Sequence, residues 1–206
     1  TLTRLDLSAC QIGKGGESIG EALAINSTLT SLELSEHELE EDEEGRIEEE
    51  GGRCIAEALV INSTLTNLDL SYCSIGEEGG TRIGDALVIN NTLTRLLLKN
   101  CWIGKEGGTR IGEALAINSG LTSLDLAGCE VGKNGGRIVG KALAVNSTLV
   151  VLNLSFCGIG EEGGKSIGNG LAVNCALTDL NLSFCRAIGE EGGKSRTSKL
   201  TLTVKL

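Results

Sequence analysis

Residues 65–92 read LTNLDLSYCSIGEEGGTRIGDALVINNT, and residues 93–120 read LTRLLLKNCWIGKEGGTRIGEALAINSG. The two segments agree at most of their 28 positions, so the chain contains an internal repeat. Copies begin at Leu2, Leu29, Leu65, Leu93, Leu121, Leu149 and Leu177. The first interval is one residue shorter, and the interval from Leu29 to Leu65 is 36 residues long. The spacing predicts a single domain of seven repeats over residues 1–206.

Each repeat combines two periodicities of apolar residues. Leu68 and Leu70 alternate with polar residues, which predicts a short strand with one buried face. Ile83, Ala86 and Leu87 follow the spacing of a helix with one apolar side. The glycine-rich turn at residues 76–80 joins the two elements. One strand, one turn and one helix therefore form one repeat.

An asparagine ends the helical part of nearly every repeat. The positions are Asn26, Asn62, Asn90, Asn118, Asn146 and Asn174. Asparagine tolerates the left-handed backbone conformation that commonly terminates a helix, so we expect a left-handed helix cap at this position.

The repeats must stack, because an isolated helix of this length is marginally stable in water. Stacked strands lie about 4.8 Å apart, whereas packed helices need about 8–10 Å between their axes. Each added repeat therefore turns the stack toward the strand side. The sequence predicts a curved α/β horseshoe, with a parallel sheet on the concave face and helices on the convex face. Only four residues are aromatic, so aliphatic side chains must fill the core in regular layers.

The shared pattern LxxLxLxxC-x-IGxxGG-xxI-xxAL-xxN resembles the ribonuclease-inhibitor-like class of leucine-rich repeats (LRRs). This class also occurs in Ran GTPase-activating proteins and in the sensor arms of NLR-type receptors. The resemblance covers residues 1 to about 195 and implies a protein-binding module, without implying that the ligand is a ribonuclease. After Gly193 the helical motif is absent, and the alternating residues 199–206 predict a closing edge strand.

Six of the eight cysteines occupy one repeat position and form what we call the cysteine ladder. Its members are Cys10, Cys73, Cys101, Cys129, Cys157 and Cys185. We expect these thiols to point inward toward loop backbone groups. Parallel side chains are poorly placed for disulfides, which favours reduced thiols and a cytoplasmic location. His37 takes the ladder position of the second repeat, which raises a metal-site hypothesis. Ligands in a line do not enclose a tetrahedral ion, so a slightly distorted repeat is the preferred interpretation.

Composition argues against several function classes. The formal net charge of −10 disfavours nucleic-acid binding, and the apolar runs are far below the roughly 20 residues that cross a membrane. The segment GEEGGKS at residues 160–166 is one residue short of a phosphate-binding loop and carries two carboxylates. A single histidine gives no plausible Ser/His/Asp set. We therefore predict a protein without enzymatic activity or cofactor. The absence of Met suggests a piece of a longer chain.

The second repeat holds an acidic insertion. Aligning Leu39 with Ile75 places the extra residues at about 40–50, in the strand-to-helix loop. Residues 36–50 carry ten acidic side chains and one arginine. Three interpretations remain open for this segment: a solvated loop without a function, a calcium-binding loop, and a contact for a basic partner. The residues assigned to the third interpretation are Glu41, Asp42, Glu43 and Glu44.

Two further sets of residues are candidates for partner binding. The outward-facing strand positions on the concave face hold Asp6, Glu33, Asp69, Leu97, Asp125, Asn153 and Asn181, of which the acidic four are the candidates. The four aromatic residues, Tyr72, Trp102, Phe156 and Phe184, lie beside the cysteine ladder and therefore at one rim of the horseshoe. Aromatic side chains dominate many interfaces, although the rings could instead cover the loop below them.

These observations predict a cytoplasmic, non-enzymatic scaffold or adaptor that binds a protein through the concave sheet and the aromatic rim, and the acidic segment favours a partner with a basic surface. Two alternatives remain at the sequence level. One is a regulatory arm of a larger protein, of the GTPase-activating or NLR-like type, and the other is a structural subunit of a large assembly. The sequence does not predict the oligomeric state.

Overall fold

The computed structural model describes residues 1–36 and 45–185, which form short strands and helices in strict alternation. In chain order the elements are β1 Arg4–Asp6, α1 Gly15–Ile25, β2 Ser31–Glu33, α2 Glu49–Ile61, β3 Asn67–Asp69, α3 Gly76–Ile89, β4 Arg95–Leu97, α4 Gly104–Leu115, β5 Ser123–Asp125, α5 Gly132–Leu143, β6 Val151–Asn153, α6 Gly160–Leu171 and β7 Asp179–Asn181. This alternation confirms the two periodicities within each repeat.

The strands form one parallel sheet in which each strand pairs with the next strand along the chain. The register follows the sequence repeat, because Leu68 pairs with Leu32 on one side and with Leu96 on the other. The helices pack against one another in the same order. The predicted α/β solenoid is therefore confirmed, with the sheet along the concave wall and the helices behind it.

The core consists of aliphatic layers that repeat from one unit to the next. Leu68 and Leu70 from the strand side meet Ile83, Ala86 and Leu87 from the helix side, and all five are at most 1% exposed. None of the four aromatic residues belongs to this core. Burial of each large aliphatic side chain contributes roughly 1.5–3 kcal/mol, so stability comes from the summed layers.

Glycines allow neighbouring helices to approach closely. A Cβ atom on Gly107 would lie 3.0 Å from the Cα of Gly80, and one on Gly140 would lie 2.3 Å from the carbonyl carbon of Ser166. At these points the backbone of one helix contacts the backbone of the next, whereas most packed helices are separated by their side chains. This contact reduces the difference between helix spacing and strand spacing, and so limits the curvature of the solenoid.

The asparagines at the helix ends do not adopt the predicted left-handed conformation. Asn62 and Asn90 have φ angles of −70° and −77°, with extended ψ values. Nδ2 of Asn90 instead donates to the carbonyl oxygens of Leu59 and Asn62 in the preceding repeat, at 2.7 and 3.0 Å. Its Oδ1 accepts the N–H groups of Thr92 and Leu93. The same bonds recur at Asn62, Asn118, Asn146 and Asn174. The carboxamide thus joins consecutive repeats, and this explains the choice of asparagine.

The register of the second repeat also differs from the prediction. The side chain of Ile47 is fully buried and faces Gly16, as Ile103 faces Gly80. Ile47, and not Leu39, therefore fills the place that Ile75 fills in the third repeat.

The ladder position of the second repeat belongs to Gly45. Its carbonyl accepts the N–H of Gly13, as the carbonyl of Cys101 accepts the N–H of Gly76. His37, which the sequence placed in the ladder, lies outside the described residues. The eight additional residues are 37–44, and this segment, which includes Glu41, Asp42, Glu43 and Glu44, lies outside the described residues. The predicted edge strand at 199–206 lies outside them as well.

Candidate functional site

The predicted concave column is assembled as one continuous row. Strand pairing places Asp6 beside Glu33, Glu33 beside Asp69, and the row continues through Leu97, Asp125, Asn153 and Asn181. Its acidic members lie mostly in the first three repeats. The members of the row are exposed or half-buried, so their outer atoms are accessible from the concave side.

Most members of this column also stabilise the turn after the strand. Oδ1 of Asp69 accepts the backbone N–H of Ser71 at 2.9 Å, and Oδ1 of Asp125 accepts that of Ala127 at 2.8 Å. At Asp6 the equivalent bond from Ser8 lowers the carboxyl pKa. These side chains therefore stabilise the local turn, which their residue types alone did not reveal, and each carboxylate has a second oxygen outside this bond.

Two side chains on the same face contact carboxylates of the acidic column. The guanidinium of Arg4 contacts the carboxylate of Glu33 at 2.8 Å, while the amide of Asn153 donates to Asp125 at 3.1 Å.

A shallow groove of about 200 Å³ crosses the second to fourth strands. It is lined by Ser31, Leu32, Glu33, Asn67, Leu68, Asp69, Arg95 and Leu97. The groove combines a polar lining with an apolar floor and is too open to enclose a small molecule.

The aromatic residues lie on the strand-to-helix loops, which we call the loop rim. Three rings are exposed, with 60% of Trp102, 60% of Phe156 and 64% of Phe184 accessible. The rings of Phe156 and Phe184 stack with centroids 4.6 Å apart and planes 10° apart. Tyr72 is half-buried, and the ammonium group of Lys99 lies 5.0 Å from its ring centroid. The alternative in which the rings cover the loop therefore applies at most to Tyr72.

All four aromatic residues have a left-handed backbone. Their φ angles are 65° at Tyr72, 55° at Trp102, 60° at Phe156 and 56° at Phe184. A bulky side chain is rarely found in this region, and the conformation costs roughly 1–2 kcal/mol for a residue with a Cβ atom. The loop imposes the conformation, because Gly128 at the position equivalent to Phe156 has a φ of 70°.

The cysteine ladder is buried in its middle members, Cys73, Cys101, Cys129 and Cys157, whose thiols point as predicted toward backbone carbonyls, whereas Cys185 is half-buried and Cys10 is exposed. The thiol of Cys101 donates to the carbonyl of Leu70 at 2.9 Å, and that of Cys129 donates to the carbonyl of Leu98 at 2.7 Å. Burial raises the pKa of both Cys73 and Cys129 to about 12, which keeps these thiols protonated. The eight cysteines are all free thiols, and only Cys10 and Cys175 are exposed.

The described residues offer little material for other kinds of site. No three His, Cys, Asp or Glu side chains within residues 1–36 and 45–185 are grouped so that they could hold a metal ion. His37, the subject of the metal hypothesis, lies outside these ranges. Among the described helices, none combines the length and the apolar character of a membrane span.

One exposed feature was missed in the sequence. A branched aliphatic residue precedes the asparagine of six consecutive repeats, and we call these residues the apolar row. They are Ile25, Ile61, Ile89, Ile117, Val145 and Val173. Each is between 61% and 87% exposed. The row lies where the helices end, on the rim opposite the aromatic rings. In the sequence, the row is marked by an Ile or Val that recurs directly before each Asn. This pattern resembles a continuation of the buried face of the helix, so the row was not recognised as exposed.

The comparisons with known proteins agree with this architecture. A family model described as Leucine Rich repeat matches residues 1–19, 62–84, 90–112, 118–137, 145–168 and 173–195, which together exceed half of the chain. No curated protein sequence matches the chain.

Two solved structures are similar in fold. The Caenorhabditis elegans tropomodulin C-terminal domain aligns with a TM-score of 0.59 and 15% identity, covering 77% of this chain and 92% of that one. Leiomodin-1 actin-binding site 2 aligns with a TM-score of 0.51 and 23% identity, covering 68% of this chain and 80% of that one. Together with the repeat register and the parallel sheet, the family match shows that the chain belongs to the leucine-rich repeat family, in its ribonuclease-inhibitor-like form.

Proposed function

We propose that the protein is a non-enzymatic scaffold or adaptor that binds a protein partner through its concave sheet and loop rim. The observation that carries this proposal is the display of three exposed rings, Trp102, Phe156 and Phe184, on left-handed backbone. Buried, protonated thiols are compatible with a reducing compartment, and we propose a cytoplasmic location.

Stability alone does not account for the exposed rings. Glycine or asparagine fits a left-handed position without strain. Asn100 and Gly128 occupy the position equivalent to Phe156 and Phe184, and Gly158 occupies the position equivalent to Trp102. An exposed ring also recovers little hydrophobic free energy, since most of its surface remains in water. Strained backbone that persists despite these costs is typical of functional positions. Aromatic anchors of this kind carry much of the binding free energy in interfaces.

The charge distribution favours a partner with a basic segment. Asp6, Glu33 and Asp69 form the acidic part of the concave column, and the insertion at residues 37–44 adds further carboxylates beside the second repeat. A negative field of this kind accelerates and orients the encounter with a positively charged surface. We propose that Glu41, Asp42, Glu43 and Glu44 act in this way, and that Asp125 and Tyr72 extend the contact.

Actin is one defined partner to test. Leiomodin-1 actin-binding site 2 is named for actin binding, and its fold is similar. Because identity to this chain is only 23%, the similarity concerns the fold, and cosedimentation with filaments or binding to monomeric actin must decide the question.

The proposal is tested by comparing proteins captured from native extract by the wild-type chain and by a Phe156→Asn/Phe184→Asn variant. Asparagine keeps the left-handed backbone and removes both rings. Partners of the loop rim should be lost by the variant, and a purified partner should bind it at least about tenfold more weakly in calorimetry. Arg82→Ala on the exposed face of α3 is the matched control and should retain them. Equal capture by the ring variant and the control would contradict the proposal.

A further inference from the structure

We propose that the apolar row is a self-association surface, through which two copies of this chain pair rim to rim in antiparallel order. The surface is separate from the proposed partner site, because the row lies at the helix ends and the aromatic rings lie at the opposite rim. Dimerisation would therefore leave the concave face of each copy open.

The exposure of the row is unusual for a free surface. Single exposed aliphatic residues are common, but contiguous apolar patches generally mark interaction sites. Ile25 is 87% exposed, and the least exposed member, Ile89, is still 61% exposed. The residue recurs in six consecutive repeats, so the exposed side chains follow one rim at the repeat spacing and are not scattered points.

The neighbouring loop residues permit a close approach to this line. The residue two positions after each member of the row is small or uncharged: Ser27, Ser63, Asn91, Ser119, Ser147 and Cys175. All six are exposed. No charged side chain would need to lose its water on this side of the row when another surface covers it.

A second copy is the occupant that matches this surface best. The spacing of the row is the repeat spacing of the chain, so only a surface with the same spacing meets all six members in register. A two-fold axis between the third and fourth repeats reverses the order of the repeats. Ile25 then lies opposite Val173 of the second copy, Ile61 opposite Val145, and Ile89 opposite Ile117.

Charges beside the row favour the antiparallel order. The residues four positions before the row, one helical turn away, are Glu21, Glu57, Asp85, Glu113, Lys141 and Asn169. In antiparallel order Glu57, which also contacts Arg53 of its own helix, faces Lys141, and Glu21 faces Asn169. Acidic residues then meet only at the centre, where Asp85 faces Glu113, whereas a parallel order would set acidic residues against each other in four repeats. At the centre, the guanidinium of Arg110 already contacts Asp85 at 2.6 Å and Glu113 at 3.0 Å.

The row is long enough for a stable interface. Five repeat intervals span about 24 Å at the spacing of strands and up to about 50 Å at the spacing of helices. At such lengths the approximately 800 Å² per partner of a standard interface requires a contact strip roughly 16–33 Å wide, which takes in the loop residues and helix ends beside the row.

The first test is the oligomeric state in analytical ultracentrifugation. The wild-type chain should sediment as a concentration-dependent dimer at micromolar concentrations. Ile89→Lys, next to the proposed axis, should raise the dimer dissociation constant at least about tenfold. Val151→Lys introduces the same charge at an exposed apolar residue outside the row and should leave the dimer unchanged. A monomeric wild-type chain, or equal effects of the two variants, would overturn the proposal and assign the row to a different molecule.

The second test fixes the antiparallel order by cross-linking. In a Cys10→Ser/Cys54→Ser background the remaining exposed thiol is Cys175, in the sixth repeat. Ser27→Cys adds a thiol in the first repeat, which faces Cys175 of the second copy, and a short bismaleimide should join the two. Ser147→Cys adds an equally exposed thiol in the fifth repeat, which faces the second repeat instead. Cross-linking of Ser147→Cys at the same yield, or of neither variant, would reject this arrangement. Circular dichroism confirms that each variant is folded.

Discussion

A single backbone conformation determines which residues are favourable at the loop rim. The position before each ladder cysteine has a φ angle of 54° at Asn100, 70° at Gly128 and 60° at Phe156. Side-chain size varies widely among these residues, whereas the backbone does not. The repeat therefore determines the backbone geometry of the loop. The side chain at this position can vary without changing that geometry, so it can be selected for binding.

This constraint makes a prediction about substitutions of Phe156. Phe156→Asn should change the free energy of unfolding by less than about 1.5 kcal/mol, because the loss of ring stacking is offset by relief of backbone strain. Phe156→Val should be about 1–2 kcal/mol less stable than Phe156→Asn, since a β-branched side chain is poorly accommodated at positive φ. Urea denaturation measures both values. If valine were tolerated as well as asparagine, the left-handed conformation at this position would be in doubt.

At the scale of elements, the acidic insertion is an addition to a complete repeat. Glu36 hydrogen bonds through its N–H to the carbonyl of Ser71, as Tyr72 does to that of Lys99. Gly45 then continues the standard loop, and Ile47 supplies the buried aliphatic residue before α2. The chain could therefore pass from residue 36 to residue 45 without loss of a core contact.

A deletion and a substitution in the second repeat should consequently differ in stability. Removing residues 37–44 should change the free energy of unfolding by no more than about 1 kcal/mol, because a shorter loop costs slightly less entropy to close. Ile47→Ala truncates a fully buried side chain and should cost about 2–5 kcal/mol. Thermal and urea denaturation provide the comparison. Comparable losses from the two variants would contradict the register given by Gly45 and Ile47.

The sequence predicted the elements well where one residue type has one physical consequence. Leucines such as Leu68 and Leu96 can only be buried in a stack, so their spacing predicted the parallel sheet and its register. Asn90 was interpreted locally, although its hydrogen bonds run to the preceding repeat, and a single repeat does not reveal them. Leu39 and Ile47 were both compatible with the apolar position after the second strand, and tertiary packing against Gly16 selects Ile47.

The candidate surface was predictable in position but not in conformation. Alternation along the strands placed Asp69 and Asp125 on the concave face, and the repeat placed Phe156 and Phe184 together on one rim. The left-handed backbone of these rings and the turn-stabilising bonds of the aspartates are properties of the loop geometry, which residue types alone do not specify.

At the scale of the whole molecule, the cysteine ladder links stability to pH. Burial raises the pKa of Cys73 and Cys129 to about 12 from an ordinary value of 9.0. The folded state therefore holds these protons more tightly than the unfolded state. The stabilisation that these protonated thiols give to the folded state is complete below about pH 9 and is lost progressively as the pH rises toward about 12.

We expect the urea midpoint of the wild-type chain to fall between about pH 8 and about pH 10.5, and to fall less in Cys129→Ala, which lacks one raised pKa. Because both proteins contain the same lysine and tyrosine side chains, the difference between the two pH profiles reports the effect of Cys129 titration on stability. In parallel, iodoacetamide should modify exposed Cys10 and Cys175 in the folded protein and reach Cys129 only after unfolding. Rapid modification of Cys129 without unfolding, or identical pH profiles, would contradict the buried ladder.

The asparagine bonds have a consequence for how such a chain changes length. Each carboxamide reaches back to the repeat before it, as Asn118 does to Leu87 and Asn90. Every contact type is thus satisfied by an adjacent unit, and none depends on the total number of units. Gene duplication or loss of one in-frame 28-residue unit would recreate the same junctions at the new boundary. Homologous chains can therefore lengthen or shorten their binding surface in whole units without inventing a new contact.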